Sequence, residues 1–405
     1  MAARKKKQSK AKRMLNALNP RSLKGGMALF ALVFALGGMY YLYSSFAAEA
    51  IYDDVGQSKL VSNPKLGVDY TGLKLIKQNV NHPCAGIFQI SSHKSAKNTA
   101  RCTHGPDPAP EDTDITNEKQ VKSRIDEISK VIGADTSKKL TTAESTALSS
   151  LTTQAATNIP GFACQNGSQK IVPVYAYVGT NSASAFTPYI QNWSRYIDAD
   201  FLAASGNKRR VNWYTTDSTC KPTVLVIKLP SWIYDGTNSS VQYDYLVAYL
   251  NSIQISRPTS KYLIYLDHTN TAKIKICGMS NFDGDPKPTL DNKNNTQTGY
   301  AVVGPGCWFR SETHEIIHAL GANNGRSPNS TGRGHCRDEN DILCYDDYPD
   351  MYDNITLRGR MTRPCNVTTP VIDCNKDDYF NVSPASSNYL YTHWNTASSG
   401  FLKRL

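Results

Sequence analysis

The sequence has no Cys-x-x-Cys pair, no glycine-rich phosphate loop and no Gly-x-Ser-x-Gly elbow. The first absence argues against zinc held by paired thiolates. The other two leave nucleotide hydrolysis and serine esterase chemistry without support. Acidic residues are missing before Glu49, side chains of either charge are missing from residues 25 to 48, and cysteine is missing before Cys84. Nine basic residues precede Glu49, which leaves 36 basic against 34 acidic in the remainder of the 405-residue chain. The net charge of +11 is therefore a property of the leader, and composition does not support a basic nucleic-acid-binding surface on the folded part. A disordered chain is disfavoured by 23 Tyr, 11 Phe and 5 Trp.

The uncharged run is long enough, at about 1.5 Å per residue, to cross a hydrocarbon core of roughly 30 Å as a helix. Tyr40, Tyr41 and Tyr43 close it with side chains suited to the membrane boundary, and the upstream Lys/Arg cluster predicts a cytoplasmic N-terminus and an exported body. Small residues around Ser45 to Ala47 and Ala48 to Ala50 also suit signal peptidase. The expected location is the cell membrane with the body outside, or secretion after cleavage. The chain divides into a basic cytoplasmic tail (1–26), an anchor or signal segment (27–48), an N-terminal region (49–155) and a larger body (156–405).

All ten cysteines lie beyond the hydrophobic run, the pattern of a disulfide framework outside the cytoplasm. Short separations make sequential pairing the first expectation: Cys84 with Cys102, Cys164 with Cys220, Cys277 with Cys307, Cys336 with Cys344 and Cys365 with Cys374.

Residues 49 to about 115 are turn-rich, with Pro83, Pro106, Pro108 and Pro110, and read as an irregular segment stapled by Cys84 and Cys102. Val121, Ile125, Ile128 and Ile132 recur at helical spacing and predict an amphipathic helix over 117–132. Residues 141–158 are weakly periodic, with Thr141 and Glu144 placed for a capping box in what is otherwise a linker. Farther on, 170–178, 222–229 and 261–267 are apolar runs bounded by Gly, Pro or Asn and read as strands, with helical patterns at 185–204 and 241–253 between them. The run at 300–303 reads as an edge strand able to pair with an extended substrate. The fold class expected is α+β, with a mixed sheet.

The chemistry concentrates in residues 307–348, CWFRSETHEIIHALGANNGRSPNSTGRGHCRDENDILCYDDY. Ser311 suits a helix N-cap and Gly321 a stop. On that helix His314 and His318 stand one turn apart, so both imidazoles leave the same face and can meet one Zn2+. Glu315 projects beside them, where a carboxylate can take a proton from water.

His314-Glu315-x-x-His318-x-x-Gly321 resembles the start of the metzincin zinc-peptidase signature, in which the chain turns at the glycine to bring in a third ligand three residues later. That position is Asn324 here, a poor zinc ligand. His335, followed by Cys336, is similar to the His-Cys pair of archaemetzincins and is the first choice for third ligand, ahead of Asp338, Glu339 and Asn324. The segments HEIIHALGANN, GRGHCRDENDILCYDD and CNKDDYFNVSPASSNYLYTHWNTASSGFL resemble a group of secreted bacterial proteins, from about Gln154 to the C-terminus. The resemblance implies a zincin-like domain with an active-site helix, Zn2+ as cofactor and a protein or peptide substrate. Leu343 stands where relatives often carry methionine; Met351, Met361 or Leu343 itself can floor the site.

The expected mechanism has three protein ligands, a zinc-bound water, Glu315 as general base and proton carrier, and the metal steadying the oxyanion. Tyr345 and His393 are further candidates, more readily explained by packing. Ca2+ is a second candidate cation, at Asp283, Asp285 and Asp291 or at Asp346, Asp347, Asp350 and Asp353, although neither run has EF-hand spacing. Two other functional classes stay open: a non-catalytic surface protein that binds a neighbouring cell or matrix, and a zinc amidase acting on cell wall. Membrane contact is expected through the N-terminal helix alone, and no nucleic-acid partner.

Overall fold

Three of the apolar runs become neighbouring strands of one sheet. The computed structural model describes residues 62–77, 81–90, 101–109, 113–132, 159–164, 166–267, 269, 273–309, 311–323, 325–345, 361, 363–367 and 369–405, all within one compact unit, Leu60–Leu405. The anchor segment, the Thr141–Glu144 pair, Asn324, Met351 and the acids Asp346, Asp347, Asp350 and Asp353 lie outside these residues. Among the described residues no helix is long and apolar enough to cross a membrane.

In chain order the strands are β1 (Leu73–Leu75), β2 (Phe88–Ile90), β3 (Arg101–Thr103), β4 (Lys170–Tyr177), β5 (Arg209–Val211), β6 (Leu225–Lys228), β7 (Ser260–Leu266), β8 (Gly278–Ser280), β9 (Gly299–Val303) and β10 (Leu402–Arg404). The helices are α1 (Glu118–Ile132), α2 (Ala183–Ser205), α3 (Ser239–Ser252), the single turn α4 (Lys293–Thr296), α5 (Glu312–Ala319) and the single turn α6 (Tyr389–Thr392). Five strands form the main sheet in the order β6-β4-β7-β9-β8, parallel except for β8, which runs antiparallel to β9. The fold is α+β with a mixed sheet.

Strand periodicity divides the core into two layers. Ile171 and Tyr175 of β4, Leu263 and Tyr265 of β7, and Ala301 and Val303 of β9 face one side, where they pack with α2, α5 and Val121 and Ile125 of α1. Their alternate neighbours Val172, Val174, Tyr262, Ile264, Tyr300 and Val302 face the other side, against α3 and against Tyr70, Leu73 and Phe88 of the small β1-β2-β3 meander. Because both faces are covered, these strands read as continuous apolar runs rather than alternating ones.

One expectation is corrected. The run at 300–303 is not at an edge: β9 lies between β7 and β8, and the outer strand on that side is β8, with β6 at the opposite edge. Three residues, Gly-Met-Ser, carry little strand propensity, so the true edge left almost no trace in the sequence. The disulfides follow the expected sequential pairing at all five pairs.

Candidate metal centre

Helix α5 starts after Ser311, which occupies the N-cap position without a side-chain cap bond; Glu312 instead reaches back to accept the Phe309 N–H at 2.6 Å. At the other end Gly321 has φ +89° and a Cβ there would meet the Asn294 side chain at 2.5 Å, so only glycine fits the turn. The Trp394 indole donates to the Leu320 carbonyl at 2.7 Å, which satisfies a helix-end acceptor and docks the C-terminal tail against α5.

One turn of this buried helix sets His314 and His318 side by side, with their Nε2 atoms 3.0 Å apart. Beyond Gly321 the chain returns through a loop closed by Cys336–Cys344, which brings His335 to the pair: its ring centroid is 5.4 Å from that of His314 and 5.1 Å from that of His318. The far side of the loop supplies the Ile342 carbonyl, 2.7 Å from His314 Nδ1, and the buried Leu343, which belongs to the same core cluster as Ile316 and Ile317. Asp341 anchors this turn, accepting from Leu343 N at 2.7 Å, Cys374 N at 2.9 Å and the Tyr379 hydroxyl at 2.7 Å. Burial, and then the Asp373 charge, hold the Asp341 carboxyl well above the usual range.

The sequence did not reveal the fourth imidazole. His104 lies 211 residues before Glu315, stacks on His318 with centroids 3.7 Å apart, and places Nε2 3.2 Å from Glu315 Oε2 while accepting the Ser280 N–H at 3.0 Å. Asp107 arrives with it: its Oδ2 is 3.0 Å from His314 Nε2, its Oδ1 is 3.3 Å from His335 Nε2, and it accepts the Tyr345 hydroxyl at 2.6 Å. Both sit in the proline-rich loop that begins at Cys102, where only a His and an Asp beside a disulfide hinted at a site.

The donor set fits a metal ion. One ring nitrogen from each of His104, His314, His318 and His335 lies within 4.8 Å of the others, and all four residues are buried. With His314 Nδ1 donating to the Ile342 carbonyl, His314 Nε2 faces both His318 Nε2 and an Asp107 oxygen, each 3.0 Å away. A single proton serves one of these contacts, whereas a single cation serves them all. Nitrogens bound tetrahedrally at about 2.0–2.1 Å stand roughly 3.3 Å apart, close to the His314–His318 separation. Burial, then the neighbouring imidazoles of His104, His314 and His335, pushes His318 well below its usual range and favours the neutral ring that binds metal.

Glu315 is fully buried, accepts the Ser280 hydroxyl at 2.7 Å, and is pushed well up by burial and then by the Asp107 charge. For Asp107, burial is outweighed by His314 and His104, which together hold it well below the usual range.

The other candidates fall elsewhere. Asp338 is not at the histidines: it accepts from Asn375 and pairs with Arg363 at 3.2 Å, beside Asp377 and Asp378. Arg363 already supplies a cation there, 2.9 Å from Asp377. Glu339 is exposed. Cys336, Asp341 and Cys344 also cluster, yet both sulfurs are committed to a disulfide. Of the Ca2+ candidates described, Asp283 pairs with Lys293, Asp285 accepts the N–H groups of Lys287 and Lys293, and Asp291 pairs with Lys287. His393 bonds the Tyr389 carbonyl, away from the cluster. Tyr345, in contrast, is at the centre, its ring 4.0 Å from that of His335.

Compared with protein-family models, with curated proteins and with solved structures, the chain gives no match.

Proposed function

We propose that this chain is an exported zinc-dependent peptidase with a zincin-like catalytic domain of the metzincin type. The observation that carries the reading is the meeting of His314, His318 and His335 beside the buried carboxyl of Glu315. Three imidazoles would hold Zn2+, which when bound polarises a carbonyl and acidifies water.

The residues of the chain account for the rest. The Ile342 carbonyl fixes the His314 tautomer and ring orientation. Ser280 holds Glu315 through its hydroxyl, so the carboxylate has a defined position from which to accept a proton from the attacking water and return it to the leaving amine. Leu343 fills the floor under the ligand turn with an apolar side chain, the role a methionine has in related motifs. Tyr345 directs its hydroxyl into the same space. On the side away from β9, strand β8 meets an extended segment of this chain through the Thr103–Asn281 and Asp107–Gly278 bridges, the main-chain mode by which an extended peptide would bind there. Five disulfides and an uncharged N-terminal run support an extracellular setting, attached to the membrane or released.

The test is digestion of a peptide library by the zinc-loaded chain, as wild type and as Asp107→Asn, with purified cell wall as a parallel substrate. Peptide cleavage by either chain, stopped by a chelator, supports the reading. Metal-bound protein that leaves every peptide intact contradicts it, and cleavage of cell wall alone points to an amidase.

A further inference from the structure

We infer that the polar pocket at the starts of β7 and β9 binds the carboxylate of a small acid. The pocket holds about 130 Å³, well below the roughly 300–1,000 Å³ of sites that take drug-sized ligands. Lys261, the second residue of β7, forms part of its wall, together with Arg101 of β3, Asn281 just after β8 and Lys293 of α4. None of the four clustered histidines lines it, and nothing in it depends on the peptidase reading.

Three basic side chains and a single acid, Asp283, line the pocket. Two of the bases are matched: Arg101 Nη1 bonds the Asp244 carboxylate, and Lys293 Nζ stands 3.5 Å from Asp283. Lys261 has no such partner. It is 3% exposed, and among the described residues its ammonium has one hydrogen-bond acceptor, the Gln297 carbonyl at 2.9 Å, and no carboxylate. An ammonium carries three donors, so two are left over, and burying an unpaired charge is costly. One positive charge is in surplus, which one carboxylate balances; a doubly charged phosphate would be repelled by Asp283 in the same wall.

The neighbours of Lys261 have donors to spare. Arg101 spends Nη1 on Asp244 and keeps Nε and Nη2. Asn281 Oδ1 already accepts the Tyr243 hydroxyl at 3.1 Å and Tyr300 N at 2.7 Å, so the group Asn281 has left is its amide NH2. Donors from three residues around one pocket match an ionised carboxyl, which only accepts. The charged groups facing Lys261 across the pocket are Arg101, with Asp244 behind it, and Lys293 with Asp283. Burial alone holds the ammonium down at about 7, and a carboxylate beside it would restore the charged form, so an acid that binds at pH 7 brings a proton with it.

The experiment titrates the full chain by calorimetry at pH 7, in two buffers of different ionisation heat, as wild type, Lys261→Met and Lys293→Gln. The probes are acetate for a free small acid, N-acetylglycine for a peptide C-terminus, N-acetylglycinamide as its uncharged counterpart, and inorganic phosphate. The expected results are binding of both acids with uptake of about half a proton, weaker binding of phosphate and none of the amide. Affinity for the acids falls about tenfold or more in Lys261→Met and severalfold in Lys293→Gln, where Asp283 loses its partner. Tighter binding of N-acetylglycine than of acetate assigns the site to peptide termini, and the reverse to free acids. Phe282, also in the wall, stacks on His318 with ring centroids 5.4 Å apart, so the pocket neighbours the metal centre. Lys261→Met separates the two, because an acid held by the metal would keep its affinity in that variant. Lys293 is exposed, so its variant keeps the test decisive if Lys261→Met misfolds. Failure of both acids to bind, equal binding of the amide, tighter binding of phosphate, absence of proton uptake, or undiminished affinity in either variant would each overturn the inference.

Discussion

Asp107 Oδ2 and His314 Nε2 stand 3.0 Å apart, joining the N-terminal segment to the first histidine of the helix motif. The contact places a buried carboxylate inside a cluster of imidazoles, and the same carboxylate raises the proton affinity of Glu315. Burying a charge among acceptor nitrogens is costly unless a cation is shared. The relationship therefore bears on what the site holds.

If Glu315 is the proton carrier, Glu315→Ala lowers the rate of peptide cleavage by about 10²- to 10⁴-fold in whichever chain cleaves, the usual contribution of a positioned acid or base. Zinc content stays equal to that of the parent. Loss of zinc together with activity would assign Glu315 a structural role.

The Cys336–Cys344 bridge, closing a loop with a sequence separation of 8, holds the turn between His335 and Tyr345. Replacing both cysteines by serine costs about 2–3 kcal/mol on loop-entropy grounds. It also weakens zinc retention, since His335 adjoins Cys336. Chelator competition and thermal unfolding measure the two effects; unchanged zinc retention would mean that the loop holds its shape without the bridge.

Lys261 is 3% exposed, donates to the Gln297 carbonyl at 2.9 Å and lies 5.1 Å from the Phe401 ring centre. Burial pulls its ammonium down to about 7, below the unfolded value near 10.4. Between these values the unfolded chain binds the extra proton, so stability rises with pH from about 7 to about 10, by up to roughly 1.4 kcal/mol per pH unit for this one group. Lys261→Met is expected to flatten that rise and to stabilise the chain at pH 6 to 7. Denaturant unfolding across this range checks it, and identical slopes for the two chains would refute it.

Gly321→Ala introduces a Cβ at φ +89° and 2.5 Å from the Asn294 side chain. The left-handed backbone alone costs about 1–2 kcal/mol, and the clash adds to it. A drop in the unfolding midpoint with weaker zinc binding is expected; an unchanged midpoint would show that Asn294 moves aside and that the turn is not what sets the ligand loop.

Local signals carried much of this architecture. The apolar runs that became β4, β6 and β7, the heptad-like spacing of Val121 and Ile125, and the one-turn separation of His314 and His318 are all short-range patterns, legible without tertiary information. His335 was reached through its Cys neighbour and a resemblance. What could not be read is long-range: His104 and Asp107 join the site only because the chain leaving β3 runs beside β8 through two isolated bridges, Thr103–Asn281 and Asp107–Gly278, in segments with no distinctive composition. The same cause misplaced the sheet edge, since β9 looks like an edge until the faint strand beside it is known. Asp338 was a reasonable ligand by residue type, but Arg363, from beyond the motif, claims it.

The most direct measurement is zinc per chain by elemental analysis for the purified wild type, His335→Ala and Asp338→Ala. The account predicts close to one zinc in the wild type and in Asp338→Ala, and a large loss in His335→Ala. Zinc retained by His335→Ala, or a wild type that takes up none, would contradict it.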